Sequence, residues 1–189
     1  MRITALCSIL LVVACAGSTP TTTRYLLRSE AQSGTSRLEP PVWIALNQVD
    51  VAPYLGDLGL VLETQPHQVR PARYHVWAEP LADGLRRFLA AEISNALGFP
   101  VGTDAARKHE WDRTVDVSID RLHGTLSGEA LLVARWSIAP QAGEGEAFQF
   151  SASEPLPREG YAGLVDAEIA LARQLARAIA ESLRVDAQP

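Results

Sequence analysis

The sequence predicts an α+β domain, an antiparallel or mixed sheet with two main helices packed on one face, in a ββα-ββα-like order. Three observations carry this. Two stretches, 81–97 and 161–183, place apolar residues at three- and four-residue spacing, and each follows a group of segments with two-residue alternation. Turn residues (glycine, proline, asparagine) separate the alternating segments. Strands and helices in separate runs solve their burial problem as layers, with helices covering one sheet face.

The elements follow in chain order. Tyr25-Leu26-Leu27 reads as a short first strand, and 32–41 as loop, broken by Gly34 and the Pro40-Pro41 pair. Val42, Ile44 and Leu46 alternate with Trp43, Ala45 and Asn47. Val49 and Val51 carry the period onward to Pro53, giving a second strand. Residues 58–64 are apolar enough for a third strand; Pro66 and Pro71 bracket a turn, and 73–77 forms a short fourth. Pro80 suits a first helical turn, where its missing N–H costs nothing. Leu81, Leu85, Phe88, Leu89, Ile93, Ala96 and Leu97 then mark a buried helical stripe that Gly98 and Pro100 end.

In the second half Val115, Val117 and Ile119 alternate with Asp116, Ser118 and Asp120, one face buried and one solvated. Residues 124–128 turn the chain, 130–138 return as a more apolar strand containing Trp136, and 147–153 complete a meander after Ala142-Gly143-Glu144-Gly145. The last helix carries Val165, Ile169, Ala172, Ala176, Ile179 and Leu183 on one stripe, opposite Asp166, Arg173, Arg177, Glu181 and Arg184.

The amino terminus speaks to location. Met1-Arg2, an apolar run through Val13, then Ala14-Cys15 is the layout of a bacterial lipoprotein signal peptide. The apolar stretch is far short of the roughly 20 residues a permanent transmembrane helix needs. Cleavage after residue 14 leaves Cys15 first, carrying a covalent diacylglycerol and an N-acyl chain as the only expected attached groups. Cys7 follows the bulky Leu6 and is not the acceptor. An ordinary secretory signal is the plainer alternative. The chain thus divides into 1–14 signal peptide, 15–23 flexible tether and 24–189 a single domain. Several acyl chains anchor a protein stably, where one is marginal. Ala16, in place of the aspartate that retains such proteins at the inner membrane, favours the outer membrane's periplasmic face. With Cys15 acylated and Cys7 removed, no disulfide or thiolate metal site is available.

Composition excludes some partners. The chain has a formal net charge of −5, and Arg2 leaves with the leader; Lys108 is its sole lysine. No basic stripe exists for nucleic acid or for anionic lipid headgroups, so lipid contact beyond the anchor would be apolar.

Chemical motifs are missing. There is no phosphate loop and no Gly-x-Ser-x-Gly elbow. His67, His75, His109 and His123 are scattered and read as solvated loop or strand-edge residues. His109-Glu110 lacks the second histidine of a zinc-protease helix. Asp116 and Asp120 read as the wet side of a strand. No catalytic or metal-binding residue is expected, and the protein is read as no enzyme. Most of the four tryptophans should be core, although aromatic residues also anchor interfaces.

Several segments together resemble the ABC-type transport auxiliary lipoprotein family along nearly the whole mature chain. They are the lipobox ending at Cys15, Tyr25-Leu26-Leu27 and Val49-Asp50-Val51-Ala52-Pro53-Tyr54-Leu55. Trp77-Ala78-Glu79-Pro80-Leu81, the strand pair with Trp136 and the alanine-rich last helix complete the set. The Trp-Ala-Glu-Pro-Leu step is the most specific. One departure is Gly56-Asp57-Leu58-Gly59-Leu60, where family members continue with an acidic residue, an arginine and a polar stretch. The resemblance implies an accessory role in moving phospholipid across the periplasm. The implied partners are a mammalian-cell-entry (MCE) protein and its membrane components, with the lipoprotein docking that assembly at the outer membrane, as a homo-oligomeric ring. It also makes Tyr54, Leu55 and Trp77 candidate partner-contact residues. The rival expectations are a periplasmic lipid-binding carrier and an envelope-integrity lipoprotein unrelated to MCE proteins.

Overall fold

A computed structural model describes residues 20–29, 40, 42–103 and 111–185. The elements are β1 (Thr23–Tyr25), β2 (Ile44–Val51), β3 (Gly59–Gln65), β4 (Gln68–Trp77), α1 (Leu81–Leu97), β5 (Arg113–Thr125), β6 (Glu129–Pro140), β7 (Glu146–Pro155) and α2 (Gly160–Val185). A single turn of 3-10 helix, Pro53–Leu55, follows β2. The strands form one mixed seven-stranded sheet in the order β1-β4-β3-β5-β6-β7, with β2 also on β5. Both helices pack on the sheet and on each other. The expected α+β class and its two-helix layer are what the chain adopts.

The second half follows its alternation closely. β5, β6 and β7 form an antiparallel meander, and Val115, Val117, Ile119, Leu132, Ala134 and Ile138 turn to the helices. The β5 strand is longer than its alternating stretch. A bulge at Asp120 shifts the register, so Leu122 and Gly124 regain the helix side and the turn comes only at Leu126 and Ser127. Gly124 is glycine for a reason: a Cβ there would lie 2.8 Å from both Leu164 and Leu62. The alanines of α2 allow the same close approach to the sheet.

The first half departs in three places. The alternation in β2 hides a bulge: Leu46 pairs with Val115 and Gln48 with Asp116, leaving Asn47 as the extra residue. That is why burial moves from Leu46 to Val49 rather than Gln48. The β4 strand begins at Gln68, so Pro71 lies inside it rather than closing a turn. Pro71 pairs with Val61, and β1 covers β4 only from His75 to Trp77, so a ring without an N–H faces an open edge at no cost. The first strand is Thr23–Tyr25, two residues early, and runs parallel to β4; Leu27 is core nonetheless.

The α1 helix begins and ends as its residues predict. Pro80 occupies the cap and Gly98 takes a left-handed φ of 82° at the other end, its N–H bonded to the Ser94 carbonyl at 2.9 Å. Leu85, Phe88, Leu89 and Ile93 are fully buried.

Candidate functional site

One segment that carries the family resemblance, Val49 to Leu55, lies where β2 and β3 share one edge of β5. β2 accompanies β5 as far as Ile119, and β3 joins it at Gly124. The 3-10 turn Pro53–Leu55 occupies the interval, tied in by the Ala52 N–H to the Ile119 carbonyl at 2.9 Å. Leu55, only 2 % exposed, plugs into the core, and the half-buried Tyr54 ring sits edge-on to His123, centroids 6.2 Å apart.

Two further polar side chains near this turn are withdrawn from water. His123 is buried, and Glu168 of α2 is 2 % exposed, its Oε2 without a hydrogen-bond partner among the described residues. Burial pushes the Glu168 carboxyl up to about 8, so it is neutral in the folded protein at neutral pH. Burial also raises the Tyr54 phenol, opposed by a hydrogen bond with the Leu122 backbone.

The Trp77-Ala78-Glu79-Pro80-Leu81 step ties the first strand to the first helix. Trp77 is 4 % exposed and its N–H bonds to the Leu58 carbonyl at 2.7 Å; the Ala78 N–H bonds to the Tyr25 carbonyl at 2.7 Å. Glu79 pairs with Arg87 at 2.5 Å and Arg28 at 3.5 Å, and the Arg87 guanidinium holds its carboxyl below the usual range. Leu81 is core. Each residue of the step therefore has an architectural duty.

Of the candidate partner contacts, Leu55 and Trp77 are interior and Tyr54 lies half-buried beneath its turn, so none presents a free side chain. Cys15 lies outside the described residues. The departure from the family pattern is structural in its second part: Gly59 opens β3 where a Cβ would lie 2.7 Å from the Ala72 carbonyl oxygen, and Leu60 is core.

The histidine reading needs correction. His123 is 4 % exposed: it pairs with Leu131 on the sheet face opposite Leu122 and Gly124, and the Tyr54 ring lies against it. His75 stacks between Tyr25 and Tyr161, centroids 6.0 and 4.3 Å away, and its Nδ1 meets the Tyr25 hydroxyl at 3.0 Å. His67 is an exposed turn residue, and His109 lies outside the described residues. Asp116 accepts from Asn47 at 2.7 Å, and Asp120 is held by Arg135 through two bonds of 2.8 and 2.9 Å, as befits a solvated strand face. Glu168 was legible yet unremarked: it stands at helical spacing with Leu164, Leu171 and Leu175, a charge on an apolar stripe.

Trp77, Trp111 and Trp136 are buried and Trp43 is half exposed. Trp136 donates its indole N–H to Ser182 at 3.1 Å and stacks on Phe148. No group of His, Cys, Asp and Glu able to hold a metal, and no helix long and apolar enough to cross a membrane, occurs among the described residues.

Comparison with known proteins gives this architecture its relatives. Two crystal structures share it: one of an uncharacterized protein, with a TM-score of 0.73 at 24% identity, covering 86% of this chain and 99% of that one. The other is of a Xanthomonas campestris protein, TM-score 0.70 at 12% identity, covering 88% and 100%. The chain is 26% identical over 160 residues to the intermembrane transport lipoprotein PqiC of Escherichia coli K12, covering 84% of this chain and 83% of that protein. The PqiC of Shigella flexneri matches equally. The model of the ABC-type transport auxiliary lipoprotein component matches residues 25–180. With β2 to β7, α1, most of α2 and the Trp77–Leu81 junction inside that match, the chain belongs to the ABC-type transport auxiliary lipoprotein family.

Proposed function

We propose that this protein is a non-catalytic accessory subunit of an MCE-type intermembrane phospholipid transport system of the Pqi kind. Anchored through lipidated Cys15 to the periplasmic face of the outer membrane, it docks the assembly there. The observation that carries the reading is the family match across 25–180, joined to a likeness to intermembrane transport lipoproteins over most of both chains.

A carrier of phospholipid is the weaker reading. The apolar groove lined by Leu62, Leu126, Leu156, Tyr161 and Leu164 encloses about 250 Å³, below the roughly 300–1,000 Å³ of ordinary small-ligand pockets. A two-tailed lipid does not fit within it.

Separation of inner and outer membranes from the native cell tests the geometry. The mature protein is expected in the outer-membrane fraction. Recovery in the inner membrane alone would overturn docking at the outer membrane while leaving the family assignment intact.

A further inference from the structure

Three features of the molecule point the same way. The first is direction. β1 runs parallel to β4, Thr23 beside His75, so the chain before Thr23 heads back toward Gln68 and the β3–β4 hairpin. The β5–β6 turn, the end of β7 and the start of α2 lie at this same end, because Leu62 of β3 pairs with Gly124 and Pro155 of β7 pairs with Glu129.

The second is reach. Val76, next to the tether's exit, pairs with Gly59, and β3 ends at Gln65. At about 3.3 Å per residue the hairpin end is about 20 Å from that exit. The tether from Cys15 to Thr23 spans at most about 29 Å when fully extended, so it passes the hairpin end with about 10 Å to spare. Toward the opposite end, β5 runs back from the same level to Arg113, about 26 Å, with the β6–β7 hairpin beyond. The tether reaches that end only at full stretch.

The third is the surface. Leu126, 72 % exposed at the tip of the β5–β6 turn, and Val69, 43 % exposed on the β3–β4 hairpin, are large apolar side chains at the end the tether points to. The groove of Leu62, Leu156, Tyr161 and Leu164 lies directly beside Leu126. Exposed Arg70 and Arg158 are offset by exposed Glu159 and by the partly exposed Glu63, Glu129 and Glu154, so charge is not what would hold this end to a lipid surface.

We infer that the hairpin end is a membrane-facing surface, with Leu126 and Val69 in contact with the apolar boundary of the bilayer that holds the anchor. The inference rests on the reading of Cys15 as the lipidated residue. In that orientation the tether leaves the hairpin end within about 10 Å of the lipid, and the apolar tips turn a loose leash into a fixed orientation. The opposite end, with the β6–β7 hairpin and exposed Trp43, then faces the periplasm.

The mature protein has no cysteine besides Cys15 once the leader is gone, so single labels are clean. Full-length protein with Leu126→Cys, Val69→Cys or Glu144→Cys is purified from membranes and labelled with a nitroxide. It is then placed in vesicles of phosphatidylethanolamine with a minor fraction of phosphatidylglycerol. Power saturation compares collision with oxygen, which concentrates in lipid, against a water-soluble nickel complex. The labels at 126 and 69 should favour oxygen, unchanged by added salt, and the label at 144 should favour nickel. Equal nickel access at all three sites, with an intact mass that includes the acyl chains, would overturn the inference alone. Loss of both collisions at 126 and 69 would assign the surface to a protein partner, including a second copy, and also overturn it. An unmodified mass at Cys15 would overturn the anchor reading itself.

Discussion

The junction of β4 with α1 and the hairpin end of the sheet treat large apolar residues in opposite ways. At the junction, Trp77, Leu81 and the neighbouring Leu27 are buried, and Glu79 is braced by two arginines. At the hairpins, Leu126 and Val69 stand in solvent. The large apolar residues that carry the family resemblance are mostly of the first kind, with Leu26 an exposed exception. A motif can thus mark a family by specifying how its chain closes. The TM-score of 0.70 at 12% identity fits that division, since architecture persists where most side chains do not.

The contrast can be broken at its buried pole first. Trp77→Ala should lower stability by about 3–5 kcal/mol, the usual cost of emptying a large aromatic site. Urea unfolding of the lipidated protein measures it. If the variant keeps its stability but loses its partner, Trp77 is a contact and the division fails.

Glu168→Gln comes next. The carboxyl rises to about 8 in the fold from 4.5, its ordinary value, so the folded state holds a proton that the unfolded chain releases. Stability therefore falls as pH rises between about 4.5 and 8. The glutamine variant lacks that dependence and should be more stable by about 1–3 kcal/mol at the upper end. Thermal melts across this range should converge at the acid end and diverge at the alkaline end. Parallel curves would mean that Glu168 is charged and paired in the fold.

Glu79→Gln should cost less, about 0.5–1 kcal/mol, because its arginines are half exposed and well solvated. Its carboxyl is held low, so its contribution is present above the unfolded value and is lost as pH falls through the folded one. The difference between wild type and variant should vanish in acid. Leu126→Ser sits at the exposed pole and should change stability by less than about 0.5 kcal/mol. A larger loss would make Leu126 a core residue and erase the contrast.

How much of this was legible depends on how regular each element is. β5 and β6 alternate because one face meets helices and the other water, and that pattern survives in the residues. The cap chemistry of Pro80 and Gly98 is local, so it reads directly. Pro71 was misleading because an open strand edge tolerates it, and whether an edge is open depends on where β1 lands, a pairing of residues far apart in the chain. The bulges at Asn47 and Asp120 reset alternation without a sequence signal of their own, and His123 is covered by the Tyr54 turn, a packing of residues far apart in the chain. Glu168 had a signal in its spacing, but its neutral state follows from the sheet and turn packed over it. The burial of Tyr54, Leu55 and Trp77 could not be separated from a contact role, since both favour large apolar side chains.

Docking at the outer membrane is probed most directly by mild crosslinking in the native cell, followed by capture of the detergent-solubilised, Cys15-lipidated protein and joint analysis of proteins and lipids. Recovery of an MCE-domain protein is the predicted result. Recovery of phospholipid without that partner, or of neither, would contradict the docking role.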